Sequence, residues 1–166
     1  MPKTSARPAD EIEKILNTYG DMLFRLCLVM LGNSNDAEDA IQETMLTYLQ
    51  KAPVFRDEEH QKAWLITVTT NKCKDILRFR TRHPIVSMEN NVENLCNFTK
   101  DNSDSGILEA LMTLPEKFRL VLVLYYVEEY SIKEIARIIG RTTSAVKMRL
   151  QKGRKLLSET YRREYM

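Results

Sequence analysis

The sequence is poor in the residues that build metal sites, disulfide frameworks and flexible turns. Its 166 residues include three cysteines, two histidines and five glycines. The cysteines, Cys27, Cys73 and Cys96, are far apart and odd in number, so they fit neither a metal-ligand spacing nor a complete set of disulfides. We therefore expect reduced, inert thiols, no metal and no other cofactor.

Long apolar runs are also missing. The longest one, MLFRLCLVML at residues 22–31, contains Arg25 and is too short to cross a bilayer. Residues 1–16, MPKTSARPADEIEKIL, lack the apolar segment of a secretory signal peptide. We therefore expect a cytoplasmic protein that is neither secreted nor inserted into a membrane.

The abundant residues favour helices. Leu, Glu, Lys, Arg, Ile and Met are plentiful, and all of them except Ile are strong helix formers. Apolar residues make up 43% of the chain and charged residues 29%, which is typical of a globular protein. The length suffices for one domain with a good core or for two small ones. The composition therefore predicts an all-α fold.

Charge alternates in blocks, although the formal net charge is only +2. Residues 34–59 and residues 85–116 each sum to −5, whereas residues 72–84 sum to +4 and residues 131–166 to +7. Most charge runs are solvated helix faces. Two separated basic blocks in one small protein nevertheless favour two contacts with nucleic acid.

Helical periodicity covers most of the chain and stops once. It predicts helices at residues 10–31, 36–50, 57–82, 107–114 and 116–127. Residues 83–106 are rich in Asn, Ser and Asp and have no sustained period, which is typical of a linker. We therefore predict two small helical domains, at residues 10–82 and 107–162, joined by a flexible linker at 83–106.

The predicted helix at residues 57–82 separates an apolar face from a basic stripe. The residues expected to face the core are Trp64, Leu65, Val68, Ile76 and Phe79. The outward stripe has spacings of three, four and four residues and comprises Asn71, Lys74, Arg78 and Arg82. A cationic stripe of this kind suits a nucleic-acid strand.

The segment SIKEIARIIGRTTSAVKMRLQKGRKLL, residues 131–157, has the pattern of a helix-turn-helix. Ser131 and Glu134 fit a capping box, and Asp10 is a possible cap for the first helix of the chain. Gly140 can take the left-handed conformation of a tight turn, and Val146 fits the core between the two helices. A helical hairpin with a basic surface would show the same pattern.

The positive charge of the second helix favours the DNA interpretation. Residues near its start, such as Ser144, Lys147 and Arg149, would reach base edges in the major groove. Lys152 and Arg154 suit contacts with phosphates, which make binding strongly dependent on salt.

Three segments, in this order, resemble the sigma-70 factors of RNA polymerase, and specifically the small two-domain type called extracytoplasmic function (ECF) sigma factors. DAEDAIQETMLTYL at 36–49 is similar to the polymerase-binding helix, AWLITVTTNKCKDILRFRTR at 63–82 to the −10 promoter segment, and residues 110–157 to the −35 domain. The resemblance implies a protein that binds core polymerase, directs it to particular promoters and opens the DNA. It also implies that the chain is not itself an enzyme.

The resemblance implies roles for individual residues. For core polymerase they are Asp39, Gln42 and Glu43; for the −10 element Asn71, Lys74, Asp75, Arg78 and Arg82; and for the −35 element Thr143, Ser144, Lys147, Arg149, Lys152 and Arg154. The implied partners are the clamp of the polymerase β′ subunit, the flap of its β subunit, promoter DNA and an anti-sigma factor, with no small-molecule substrate.

Some features are less well defined by the resemblance. The loop at 52–62, including Phe55, is the implied pocket for an unstacked base, whereas the register of Trp64 with Val68 indicates a core residue. The acidic linker is implied to run through the RNA channel of the polymerase. Arg141 and Thr70 depart from the family pattern, which usually has an aliphatic residue and often an Arg at these positions.

Two other classes of function remain open from the sequence. A stand-alone helix-turn-helix regulator would share the C-terminal motif but would leave residues 36–82 unexplained. A small recombinase or nuclease would need a catalytic cluster, and the sequence offers no carboxylate–histidine cluster and no metal-ligand spacing.

Overall fold

The computed structural model describes residues 9–83 and 105–165. These residues form helices only, which confirms the predicted all-α fold, and the helices are α1 (Ala9–Leu31), α2 (Ser34–Lys51), α3 (Glu58–Arg82), α4 (Ser105–Met112), α5 (Glu116–Tyr126), α6 (Ile132–Ile139) and α7 (Thr143–Tyr165). The predicted linker, 83–106, lies almost entirely outside the described residues. None of the described helices is both long and apolar enough to span a bilayer.

Local side-chain chemistry sets the starts of α2 and α3. The side chain of Asn33 accepts a hydrogen bond from the backbone N–H of Asp36 at 2.8 Å, and Asp57 accepts one from His60 at 2.8 Å. Each bond satisfies an N–H that the first turn of a helix leaves unpaired. The prediction that Asp10 caps α1 is wrong, because α1 already includes Ala9 and Asp10 lies in its first turn.

Helices α1, α2 and α3 form the N-terminal bundle. Its centre holds Leu23, Leu26, Tyr48, Leu65 and Ile66, all fully buried. The Tyr48 hydroxyl donates to Glu11 at 2.5 Å and accepts from Gln61 at 3.0 Å, so one ring joins all three helices.

Two expectations about this bundle are confirmed. Trp64 is half-buried and packs against the core, with its ring edge-on to that of Tyr48 and the ring centroids 5.7 Å apart. Cys27 of α1 and Cys73 of α3 are free and buried, whereas the third cysteine, Cys96, lies outside the described residues. A hydrogen bond with the Cys73 thiol, together with burial, raises the pKa of Cys27 well above its usual value, so this thiol stays protonated and unreactive.

The prediction that Phe79 faces the core is wrong. Its side chain is 58% exposed, and its ring lies against that of His83 with centroids 4.4 Å apart. Near the end of α3 the inward side belongs to Cys73, Leu77 and Arg80; the Arg80 guanidinium donates to the carbonyl of Leu31 at 2.8 Å. Phe79 is two residues from Leu77, about 200° around a helix, and therefore points outward.

Helices α4 to α7 form the C-terminal bundle. Helix α5 supplies most of its core, and every residue from Leu120 to Leu124 is buried. Gly153 lets α7 approach α5 closely, since a Cβ at this position would stand 3.2 Å from Cδ1 of Leu122. Ile135, Val146 and Leu150 close the core from the helix-turn-helix.

The two bundles pack against each other, α1 on α5 and α3 on α6. Arg25 of α1 forms an ion pair with Glu128 at 2.6 Å, and Arg119 of α5 donates to the carbonyl of Met30 at 3.1 Å. The Lys62 ammonium lies 5.3 Å from the centre of the Tyr130 ring. We call this packing the closed arrangement.

Candidate nucleic-acid interface

The helix-turn-helix predicted at residues 131–157 is present, and its second helix, α7, continues to Tyr165. Ser131 accepts from the N–H of Glu134 at 3.1 Å, and Glu134 in return accepts from the N–H of Ser131 at 3.0 Å, which completes the capping box. Gly140 has φ 68° and ψ 37°, the left-handed conformation predicted for the turn. Val146 is fully buried between the helices, as expected.

This local geometry orients α7. Thr142 accepts from the N–H of Ala145 at 3.1 Å and so caps the helix. Because Val146 and Leu150 are held in the core, the opposite side of the first two turns faces outward. It exposes Thr143, Ser144, Lys147, Met148 and Lys152, whereas Arg149 is half-buried.

Two of the predicted phosphate-binding residues of α7 also contact side chains of α5. The Lys152 ammonium lies 5.7 Å from the centre of the Phe118 ring, and Arg154 donates to the Tyr126 hydroxyl at 2.9 Å. Both side chains remain exposed, so these contacts orient the cations without hiding them from a phosphate.

The basic stripe of α3 lies on the surface as predicted. Asn71, Asp75, Arg78 and Arg82 are exposed, and Lys74 is half-buried. Arg78 forms an exposed ion pair with Asp75 at 3.0 Å, which keeps a carboxylate among the cations. Thr70 is buried and its hydroxyl donates to the carbonyl of Thr67, so this side chain does not belong to the stripe.

The closed arrangement brings part of the predicted −10 stripe close to the helix-turn-helix, which the sequence did not predict. Lys74 and Arg78 of α3 line the same cleft as Arg141 and Arg149 of the helix-turn-helix. Burial, and the positive charges of Arg149, Arg141 and Arg78, lower the pKa of Lys74. Two residues of the predicted −10 stripe, Lys74 and Arg78, thus lie in the same cleft as Arg149 of the predicted −35 set.

The loop predicted to hold an unstacked base also meets the C-terminal bundle. Phe55 is half-buried, stacked on Tyr48 with centroids 6.0 Å apart and edge-on to Trp64 at 5.8 Å. A cleft of about 410 Å³ lies beside this loop and is lined from the loop side by Arg56 and His60 and from the other side by Tyr130, Glu134 and Arg137.

The acidic face of α2 is exposed, and an apolar surface that was not predicted from the sequence lies beside it. Asp39, Gln42 and Glu43 are exposed, while Ala37, Ala40, Thr44 and Tyr48 hold the opposite side of α2 in the core. A groove of about 310 Å³ runs next to this face and is lined by Leu16, Gly20, Phe24, Glu38, Ile41 and Gln42. Leu16 is 40% exposed and Leu46 52%. Leu46 is an apolar residue that lies off the buried stripe of α2, and its position in the sequence could have indicated this exposed apolar surface.

A second apolar groove, also missed, lies on the C-terminal bundle. It has a volume of about 580 Å³ and lies between α4, α5 and α7, lined by Ile107, Leu111, Tyr126, Val127, Leu157 and Tyr161 among others. Ile107, Tyr126 and Val127 are 42–54% exposed, more than core residues of a closed bundle would be. Across residues 9–83 and 105–165, no group of His, Cys, Asp and Glu is arranged to hold a metal ion.

Comparison with known proteins agrees with the fold and the surfaces described above. The model for Sigma-70 region 2 matches residues 15–83, and the model for Sigma-70, region 4 matches residues 105–157. The chain is 30% identical over 135 residues to the RNA polymerase sigma factor SigV of Bacillus subtilis (strain 168), which covers 81% of each protein. It is 29% identical over 170 residues to the ECF RNA polymerase sigma factor SigW of the same organism, which covers 92% of this chain and 90% of SigW.

Solved structures share the fold. The sigma factor RpoE in complex with the anti-sigma factor NepR, from Bartonella quintana, superposes with a TM-score of 0.70 at 20% identity, over 94% of this chain and 99% of RpoE. CnrH in complex with the cytosolic domain of CnrY gives a TM-score of 0.69 at 20% identity, over 98% and 94% of the two chains. With both family models matched in chain order and a 30% identical relative along most of its length, the chain belongs to the sigma-70 family of RNA polymerase sigma factors and is of the ECF type.

Proposed function

We propose that this sigma factor holds core polymerase through α2 and reads its promoter at two places, the −10 element through α3 and the −35 element through α7. The observation that carries this division is the pairing of one acidic exposed face, on α2, with two cationic exposed faces, on α3 and α7. A sigma factor acts with core polymerase on promoter DNA, and these three surfaces have the charges that those two partners require.

The acidic face suits a protein partner rather than DNA. Asp39 and Glu43 are one turn apart on α2, with Gln42 between them, and all three are exposed. Carboxylates so placed accept hydrogen bonds from arginines of a docked helix, such as those of the β′ clamp. The apolar groove beside them, lined by Leu16 and Ile41, supplies the desolvated contact area that charges alone do not.

The cationic faces suit two forms of DNA. On α7, Thr143, Ser144, Lys147 and Arg149 enter the major groove, and Lys152 and Arg154 bind phosphates. On α3, Asn71, Lys74, Asp75, Arg78 and Arg82 form the track for the −10 element, with an unstacked base held near Phe55.

Promoter binding requires the closed arrangement to open. The labels −35 and −10 place the centres of the two elements about 25 base pairs apart, which is roughly 85 Å of duplex at 3.4 Å per base pair. Lys74 and Arg149 line a single cleft in the closed arrangement, so they do not reach both elements at once. We propose that residues 10–82 and 107–162 separate as two domains, and that 83–106 tethers them.

Other partners follow from the remaining surfaces. The apolar groove on the C-terminal bundle is the proposed seat of the β flap, because it is a large exposed apolar surface; Arg154, at its rim, separates it from the DNA-binding residues earlier in α7. RpoE was solved with an anti-sigma factor, and we extend that kind of partner to this chain. We assign no catalytic step to the chain, since polymerase supplies the chemistry, and we place it in the cytoplasm, where polymerase works.

The stand-alone regulator is the weaker proposal. It accounts for the helix-turn-helix but gives no role to residues 15–83, which match Sigma-70 region 2.

The polymerase contact can be tested with a triple variant, Asp39→Asn, Gln42→Ala and Glu43→Gln. We expect its affinity for core polymerase to fall at least about tenfold, the loss typical of central interface residues. The matched control is Glu13→Gln with Asp21→Asn, which removes two exposed acids of α1 and should change the affinity by less than about twofold. Equal losses in both variants would show a general effect of charge and would overturn the assignment.

A further inference from the structure

The cleft between the two bundles concentrates positive charge. It has a volume of about 360 Å³ and is lined by five cations, namely Lys74, Arg78, Lys117, Arg141 and Arg149. A single carboxylate, that of Glu116, is among its lining residues. We call this site the cationic cleft. The sequence placed these cations in separate segments, and only the closed arrangement assembles them.

The charge of the cationic cleft is poorly compensated within the described part of the chain. Of the ion pairs found there, one involves a cleft cation, that between Arg78 and Asp75, and both of these side chains are more than 60% exposed. Burial, followed by the charges of Arg149, Arg141 and Arg78, lowers the pKa of Lys74, while burial and Arg141 lower the pKa of Arg149 in spite of the opposing charge of Glu116. Like charges are therefore held together in a partly desolvated space, at a cost in free energy.

Contacts that involve none of the five cations hold the two bundles together. The Arg25–Glu128 ion pair lies outside the cationic cleft, while the bond from Arg119 to the Met30 carbonyl and the shared apolar core lie along its wall and join the two bundles without neutralising the five cations. The bundles thus close in spite of the repulsion, which leaves a preformed site for an anion. A volume of about 360 Å³ lies within the usual size range of small-molecule sites.

We propose that the cationic cleft binds a short polyphosphate, and that the bound anion holds the closed arrangement shut. Three of the five cations are arginines, whose planar guanidinium groups match phosphate oxygens in pairs. A chain of two or three phosphates carries enough charge to offset five cations and one carboxylate, whereas a lone monoanion does not. The ligand is either an inorganic polyphosphate or the phosphate chain of a nucleotide.

The consequence is competition with promoter DNA. This step rests on the proposed function, in which Lys74, Arg78 and Arg149 contact DNA. A polyphosphate that occupies the same side chains excludes the promoter, and it also stabilises the closed arrangement by mass action. The chain would then combine promoter recognition with a response to free polyphosphate.

The binding test uses the full chain and sodium tripolyphosphate, titrated by calorimetry at constant ionic strength. We expect saturable binding at one site. The test variant is Lys117→Gln with Arg141→Gln, because neither residue is assigned a promoter contact, and we expect its affinity to be at least tenfold lower. The matched control is Lys14→Gln with Lys133→Gln, which removes the same charge from exposed positions outside the cationic cleft and should retain wild-type affinity.

A second arm separates the two sources of ligand. Adenosine triphosphate is titrated in parallel. Equal affinities assign recognition to the phosphate chain alone, and tighter binding of the nucleotide assigns a contact to its base or sugar; both support the site. Absence of saturable binding, or equal weakening in the test and control variants, overturns it.

The functional arm measures promoter DNA binding by the holoenzyme. Tripolyphosphate should weaken binding by wild type more than sodium chloride of equal ionic strength does, and it should lose this excess effect on the Lys117→Gln, Arg141→Gln variant. If the holoenzyme selects promoters but tripolyphosphate has no excess effect, the inference fails while the proposed function stands. If the holoenzyme selects no promoter in the absence of any polyphosphate, the proposed function itself fails.

Discussion

The ion pair between Arg25 and Glu128 allows the closed arrangement to be weakened by a single substitution. The two residues are 103 positions apart and belong to different bundles. One carboxylate oxygen of Glu128 accepts from Nη2 of Arg25 at 2.6 Å and from Nε at 3.2 Å. Glu128→Gln removes the charge but keeps the size, so it perturbs this contact and little else.

The magnitude follows from burial and hydrogen bonding. The Glu128 side chain is 7% exposed and that of Arg25 is 21% exposed, so the pair is largely but not completely shielded from water. Hydrogen bonds to charged groups contribute about 1.5–3 kcal/mol each, and partial solvent access to Arg25 reduces the loss. We expect Glu128→Gln to destabilise the closed arrangement by about 2 kcal/mol, which shifts the closed-to-open ratio by about 30-fold.

Small-angle X-ray scattering measures this shift directly, because separated bundles increase the radius of gyration. We expect a larger radius for Glu128→Gln than for wild type, and tighter apparent promoter binding by the holoenzyme, since more of the chain is in the competent form. The control is Glu129→Gln, an exposed neighbour with the same change of charge. Identical scattering from all three proteins would refute the claim that this pair holds the bundles together.

Three further predictions concern the turn, the recognition helix and an ion pair in the N-terminal bundle. Gly140→Ala should lower the stability of the C-terminal bundle by about 1–2 kcal/mol in thermal unfolding, because φ is 68° there, and Gly140→Asn should lose less. Lys147→Ala and Arg149→Ala should each weaken −35 binding by about 1–3 kcal/mol in titrations; equal losses on all sequences would reassign them to phosphates. Burial raises the pKa of Asp36, but hydrogen bonds from Arg80 and Asn33 and the charge of Arg80 outweigh it, so the net pKa is lowered. Its contribution to stability is therefore present above about pH 4, the ordinary Asp range, and is lost as pH falls through the folded-state pKa. Acid unfolding of Asp36→Asn should show a weaker pH dependence in this range, and an unchanged profile would contradict the assignment.

The helix-turn-helix could be predicted in detail because its determinants are local. The capping box needs only Ser131 and Glu134, three positions apart, and the turn needs a residue that tolerates positive φ at Gly140. The exposed faces of α2, α3 and α7 were predictable for the same reason, since each follows from helical periodicity within one segment. The roles of their side chains on polymerase and promoter remain predictions.

Features that depend on contacts between distant segments could not be predicted. The cationic cleft forms only where α3 meets the helix-turn-helix. Helical periodicity also gives no indication that Arg25 pairs with Glu128, which is 103 positions away. Arg25 was recognisable as a charge in an apolar run, but the sequence did not indicate its partner. Phe79 was assigned to the wrong face of α3 because apolar character alone does not fix the rotation of a helix. The last turns of α3 turn Arg80 inward, where it donates to the carbonyl of Leu31.

The most direct test is multi-template run-off transcription with purified core polymerase, with and without this chain, followed by mapping of the RNA 5′ ends. We predict that the chain forms a stoichiometric complex with core polymerase and that transcripts begin at a small set of positions, each preceded by the same −35 and −10 sequences. A chain that does not bind core polymerase, or that binds it without changing where transcripts begin, would contradict the account.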